Sequence, residues 1–262
     1  MSQEIKKVLV VAVEGVDGRE AYEEARAGNL PNLARTMVEG ATLVNLAADP
    51  SAGSSWASLA TGAHAVTHGV IRDEVCQAEY LWQAAERMSK RTLLLDYPAS
   101  ALPTDHEEHP AELLNPPSRD QRYYAQLASY LLSSPDWDIA LVRVPADRSK
   151  LEEMDRVAGQ LLDTADLETL RLLVVVPGGE GTGLAVMAAT GVKRGKVVER
   201  PVELADLAPT ICYLAELPVP SACEGGIVYQ ALEDPDAKML ELQSVRRNYD
   251  RLRRSSGGAP MC

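Results

Sequence analysis

DPSAGSSWASLATGAHAVTHGV, residues 49–70, reads as a Ser-, Gly- and Ala-rich turn feeding a short helix around Trp56 to Leu59. It belongs with the opening of the chain, KKVLVVAVEGVDG at residues 6–18, an apolar run ending in an acid, Glu14, followed by Gly15 and Gly18. An acid at the carboxyl end of a strand, beside hydroxyls at a helix N-terminus, is how open α/β sheets build phosphate chemistry. The free N–H groups and the dipole of the helix favour an anion there. Two ordinary strand-to-helix turns leave the same pattern, and spacing alone does not separate the two readings.

Working outward, Val8 to Val13 is a continuous, largely β-branched run, as expected of a strand buried on both faces in a parallel sheet. Arg19 to Ala27 reads as a helix. A second helix begins near Asn29, with Asn29 as a candidate cap and Pro31 in its first turn, and stops at Gly40, where a left-handed residue is expected. Tyr80 to Met88 has helical spacing, and Arg91 to Tyr97, Asp138 to Val144 and Leu170 to Val176 read as further strands. Gln121 to Leu132 and Ser149 to Leu162 are helical, and Asp206 is placed to cap a helix starting near Leu207. The turn at residues 178–183, GGEGTG, lacks the lysine of a P-loop and is not read as a nucleotide site. Alternation of strands and helices without an internal repeat gives an α/β fold with a mostly parallel sheet. The expected division is one α/β domain over residues 1–233, with residues 98–119 a loop or the remnant of a cap insertion. Residues 234–262 follow as an amphipathic, arginine-rich helix and tail.

Composition narrows the function. A net charge of −12 offers no global positive field for nucleic acid. The four cysteines are scattered without a CxxC pair, so reduced thiols are expected, and no apolar run is long enough to span a membrane. The expectation is a cytoplasmic protein with no nucleic-acid or membrane partner. A protein partner or homo-oligomer is left open. There is no Phe, so the core must be Leu, Val and Ala, with Trp and Tyr for bulk.

The order VLVVAVEGVDG (8–18), NLPNLARTMVEGA (29–41), SSWASLATGAHAVTHGV (54–70), YLWQAAERMSKRTLLLDYPAS (80–100) and GVKRGKVVERPVELADLAPTICYLAELPVPSACEGG (191–226) resembles the alkaline phosphatase superfamily. Its nearest branch is the type I phosphodiesterase/nucleotide pyrophosphatases. The resemblance implies a three-layer α/β/α fold, here shortened. It also implies two divalent metals held by carboxylates and histidines, and a Ser or Thr nucleophile at a helix N-terminus. One metal would lower the hydroxyl pKa and the other would steady the leaving oxygen.

Carried over residue by residue, that site is damaged. The first metal-binding Asp falls on Glu14, and the nucleophile on Ala52, which has no hydroxyl; Ser51 and Ser54 are the shifted-register candidates. A mid-chain Asp falls on Asp147 without its partner His, and an Asp-His pair has become Gly179-Glu180. Glu14, Asp147 and Glu180 could hold one hard ion such as Mg²⁺ or Mn²⁺ weakly, but with no histidine they make a poor zinc site. No cofactor is therefore expected beyond such an ion. His64 and His68 read as shaping a turn, and His106 and His109 as loop residues. The resemblance then implies a protein that has lost the metal-dependent hydrolase site and acts as a non-catalytic phospho-ligand-binding or regulatory protein. The alternatives are a metal-dependent phosphoric ester hydrolase or phosphomutase using Ser51 or Ser54, and a structural or interaction subunit.

Overall fold

The structure, a computed structural model, describes residues 4–47, 49, 51–71, 74–98, 111–114, 121–134, 136–145, 151–177, 181–236 and 247. The opening apolar run forms β1 (Lys7–Glu14), at the centre of the sheet. β5 (Ile139–Pro145) and β6 (Thr169–Val176) pair with it in parallel on either side. Beyond β5 lie β3 (Thr92–Leu95) and β4 (Ala111–Leu114). Beyond β6 come β7 (Thr182–Ala188), β2 (Ala41–Ala47) and β8 (Lys196–Val198), with the short β9 (Val202–Glu203) also on β2. β7 is antiparallel to both neighbours and every other pairing is parallel, which is the mostly parallel sheet read from the sequence.

Helices cover both faces, and the alternation of β1 assigns them. Val8, Val10 and Ala12 face a core shared with α3 (Ala52–Thr61), α5 (Leu81–Glu86) and α8 (Leu207–Ala215). Leu9, Val11 and Val13 face the other core, with α1 (Gly18–Ala27), α2 (Pro31–Glu39), α6 (Gln121–Leu132) and α7 (Leu151–Leu162). A strand buried on both sides needs no polar face, hence the unbroken apolar run. Each such Val or Leu contributes about 1.5–3 kcal/mol by leaving water. In the absence of Phe, the first core is filled by Trp56, Trp82, Tyr80 and Tyr97. Tyr80 stacks on Trp82 at 4.2 Å, and Tyr97 meets Trp82 and Trp56 edge-on at 5.5 and 5.0 Å. Tyr97 also donates its hydroxyl to the Trp56 carbonyl at 2.8 Å, fixing β3 to α3.

Three local readings change. The segment 98–119, read as a loop or the remnant of a cap insertion, contains β4, which extends the sheet beyond β3; its remaining residues from 99 lie outside the described set, as does all of 234–262 except 234–236 and 247. Gly40 is extended, at φ −137°, not left-handed. Its glycine is required by contact instead, because a Cβ there would lie 2.1 Å from the Met187 carbonyl oxygen. Asn29 does not cap α2. The N-cap position is Leu30, and the N–H groups of Asn32 and Leu33, left over by the helix, donate to the carboxylate of Asp155, which arrives from α7.

Candidate functional site at the carboxyl edge of the sheet

Glu14 closes β1, level with Pro145 of β5 and Val176 of β6. Its side chain is 21% exposed; its Oε2 accepts the Trp56 indole N–H at 3.2 Å and forms an ion pair with Arg143, whose Nε lies 2.8 Å away. Arg143 comes from β5, between Val142 and Val144, which are buried. An ionised side chain in such a strand must find a counter-charge. Arg143 finds two, since its Nη1 lies 3.5 Å from Oδ2 of Asp96, just past the end of β3. Three adjacent strand ends, β3, β5 and β1, thus carry a carboxylate–guanidinium–carboxylate row.

Facing that row is the N-terminus of α3, where Ser51 and Ser55 have already committed their hydroxyls. Ser51 is the N-cap: its Oγ accepts the Ser54 N–H at 3.1 Å and donates to the Ile71 carbonyl at 2.5 Å. Ala52 follows as the first helical residue. Ser54 is 1% exposed and its hydroxyl has no hydrogen-bond partner among the described residues. Ser55 is buried against the backbone of Asp49, accepting its N–H at 3.2 Å. The helix ends at Gly62, a left-handed residue at φ +68°.

One turn further along α3, Ser58 sits between Asp49 and His68. Its Oγ is 2.5 Å from Asp49 Oδ2 and 3.0 Å from His68 Nε2. His68 Nδ1 accepts the Val70 N–H at 3.0 Å, which places the ring proton on Nε2. The proton order therefore runs from imidazole to hydroxyl to carboxylate. A hydroxyl that receives a bond from the imidazole is not activated by it, so this Asp–Ser–His set fastens the turn after α3. His68 is fully buried, and burial, the leading cause, lowers its pKa against the opposing pull of Asp49 and Glu224. The exposed His64 pairs with Glu203 at 3.4 Å, and its backbone N–H holds Glu224 below the usual carboxylate range. Asp49, Ser58, His64 and Glu203 line a pocket of about 160 Å³. A larger cavity of about 530 Å³, lined by Arg171, Thr169 and Arg194, opens at the opposite, amino edge of the sheet and takes no part in this arrangement.

The arrangement of strands and helices has clear counterparts among solved structures. Murine ectonucleotide pyrophosphatase/phosphodiesterase 5 superposes with a TM-score of 0.66 at 10% identity, over 81% of this chain and 96% of that one. The phosphonate monoester hydrolase of Silicibacter pomeroyi gives 0.66 at 14% identity, over 87% and 76%. A 2-O glycosaminoglycan sulfatase gives 0.66 at 13%, over 87% and 74%. The chain has the fold of the alkaline phosphatase superfamily. No family model and no curated protein sequence matches it.

Within the alkaline phosphatase fold, the sequence-derived candidates divide. Glu14 and the α3 N-terminus do meet, through the indole of Trp56. Asp147 and Glu180 lie outside the described residues, as do His106 and His109; the strands before the first two, β5 and β6, flank Glu14. Of the ligands that the resemblance implied for a metal site, only Glu14 lies among the described residues. The carboxylate of Glu14 already holds a guanidinium and an indole N–H, and no group of three or more His, Cys, Asp or Glu among the described residues could hold an ion. The thiols add nothing: Cys212 is buried, with its pKa pushed up to about 12 by that burial, and burial likewise raises that of Cys223. Sequence reasoning missed Arg143 and Asp96. The signal for Arg143 was present, since a lone arginine in the otherwise apolar IALVRV (139–144) marks a buried charge in need of a partner. Among the described residues no helix is long and apolar enough to cross a membrane.

Proposed function

We propose that this chain is a non-hydrolytic protein on the alkaline phosphatase fold, acting as a regulatory or ligand-binding protein and not as a phosphoric ester hydrolase. The observation that carries the reading is the state of the α3 N-terminus. Covalent phosphoryl transfer in this fold needs a free hydroxyl there, and the aligned residue is Ala52, while Ser51 spends its hydroxyl on the helix cap and on Ile71. Ser54, the other shifted candidate, is enclosed at 1% exposure, where an ester could not reach it without the helix moving. A single divalent ion of the Mg²⁺ or Mn²⁺ type is not needed for the reading.

Charge decides which half of the reading is favoured. Among the described residues Glu14 and Asp96 outnumber Arg143 in the crevice, so a phosphate approaching them meets a net negative surface. That supports a regulatory role, with a protein partner, over phosphate binding. The murine neighbour has been seen, in an inactive form, in complex with AMP, which makes AMP a suitable probe. The test is calorimetry with AMP alongside release of phosphate from a nitrophenyl phosphodiester with Zn²⁺ or Mn²⁺ added. The expected result is turnover at background and AMP binding weaker than millimolar. Saturable, metal-dependent turnover lost in Ser54→Ala or Ser51→Ala would establish the reshaped hydrolase instead.

A further inference from the structure

We propose that Arg143 is a built-in counter-cation occupying the place at Glu14 where the fold would otherwise offer a divalent ion its first carboxylate. On this account Glu14 and Asp96 form a latent hard-cation site that opens only when the guanidinium is removed. The proposal rests on the non-hydrolytic reading of the same crevice but makes a separate claim, about which cation sits there.

The topology sets the arrangement up. β3, β5 and β1 are adjacent and parallel, with Leu95 level with Val142 and Glu14 level with Pro145, so their carboxyl ends present Asp96, Arg143 and Glu14 side by side. Only a long side chain from the middle strand can reach both flanking acids. Arg143 does, with Nε 2.8 Å from Glu14 and Nη1 3.5 Å from Asp96. All three side chains are mostly withdrawn from water, at 16% exposure for Arg143, 21% for Glu14 and 11% for Asp96. Water there screens the charges little, so the two acids need a cation between them. A guanidinium is always charged and its fork suits carboxylates, which makes it a permanent substitute for an exchangeable ion. Trp56 reinforces the placement by donating its indole N–H to the same Glu14 oxygen that faces Arg143. A divalent ion approaching Glu14 would meet the guanidinium as a like charge. Without Arg143, two carboxylates and their waters form the oxygen-rich setting that Mg²⁺ and Mn²⁺ prefer.

The test is Mn²⁺ binding by electron paramagnetic resonance on chelator-treated protein, with thermal melting in parallel. Wild type and Arg143→Lys should show no stoichiometric Mn²⁺ site. Arg143→Met should melt lower in chelator, bind Mn²⁺ at least about tenfold more tightly than wild type, and recover stability with Mn²⁺. Adding Glu14→Gln to Arg143→Met should abolish the gain. The proposal is overturned by a wild-type Mn²⁺ site that disappears in Glu14→Gln, or by an Arg143→Met protein that melts like wild type and gains no Mn²⁺ binding. If Arg143→Met does not fold, the comparison of wild type with Glu14→Gln decides on the same terms. Turnover is not read in this experiment. Hydrolysis by the wild type would end the non-hydrolytic reading without touching this proposal, and a wild-type Mn²⁺ site would end this proposal with that reading standing.

Discussion

The N-termini of α2 and α3 are closed in different ways. α3 is capped locally: Ser51, the residue before the helix, turns its own hydroxyl onto the Ser54 N–H. α2 has no local cap, since Leu30 offers no side-chain acceptor and Pro31 removes one donor. Its leftover donors are met by Asp155, which is 3% exposed and reaches across from α7. Oδ1 accepts the Leu33 N–H at 2.7 Å, and Oδ2 accepts the Asn32 N–H and side-chain amide at 3.0 and 2.9 Å. The difference lies in what meets the helix N-terminus, a place that favours an anion. At α2 the anion is part of the chain and holds two helices together. At α3 the terminus is satisfied by a neutral hydroxyl, and Glu14, which meets the helix through Trp56, is held by Arg143 instead.

The largest effect should come from removing the non-local cap. Asp155→Ala strands three donors, one buried and two part-buried, and is expected to destabilise the protein by about 3 kcal/mol, read from urea unfolding, with Asp155→Asn losing less because it keeps one acceptor. A loss no greater than that of a surface substitution would show that water satisfies α2 as well as the carboxylate does. Ser51→Ala, at the local cap, should cost about 1 kcal/mol and leave phosphate-ester turnover at its background. A change in turnover from that substitution would return Ser51 to the chemistry.

This contrast also explains what was legible in the sequence. β1 and β6 could be read because burial on both faces writes itself as an unbroken apolar run, and α3 in part, as a short helix around Trp56 to Leu59, because the Ser-, Gly- and Ala-rich turn that feeds it adjoins it in sequence. Asp155 could not be read as the cap of α2, because the partners are over a hundred residues apart and nothing local distinguishes that aspartate from the acids around it. β4 was hidden for a similar reason: four residues within a proline-rich stretch have too little pattern, and pairing with β3 supplies what periodicity does not. Glu14 was found from its place at a strand end. Its partners Arg143 and Asp96 were not, since strand order, which brings β3 and β5 beside β1, is invisible before the fold is known.

A smaller effect, confined to acid, should come from the turn beyond α3. His68 is buried neutral, accepting from Val70 and donating to Ser58, and its folded pKa lies below its ordinary value of 6.5. The unfolded chain therefore binds the proton more readily. The His68 contribution is fully present above that ordinary value and is lost as pH falls from it toward the depressed folded value. Asp49, Glu224 and His64 face the ring; the two acids moderate the shift without reversing it. Denaturation followed across that window should show a steeper loss in wild type than in His68→Gln. Equal slopes would mean that His68 takes up its proton in the folded state as easily as in the unfolded one.

The smallest expected effect is also the most direct test of the account, which holds that the α3 side of the crevice lost its nucleophile and the β1 side lost its place for a metal. Restoring only the first should then do nothing. The measurement is metal-dependent hydrolysis of a phosphate mono- or diester by Ala52→Ser and Ala52→Thr, each against wild type, with Zn²⁺ and with Mn²⁺. The account predicts background rates for all three proteins, because Arg143 still holds Glu14. A clear gain of metal-dependent turnover from the single change at residue 52 would contradict it, showing that a working metal site had survived at the end of β1.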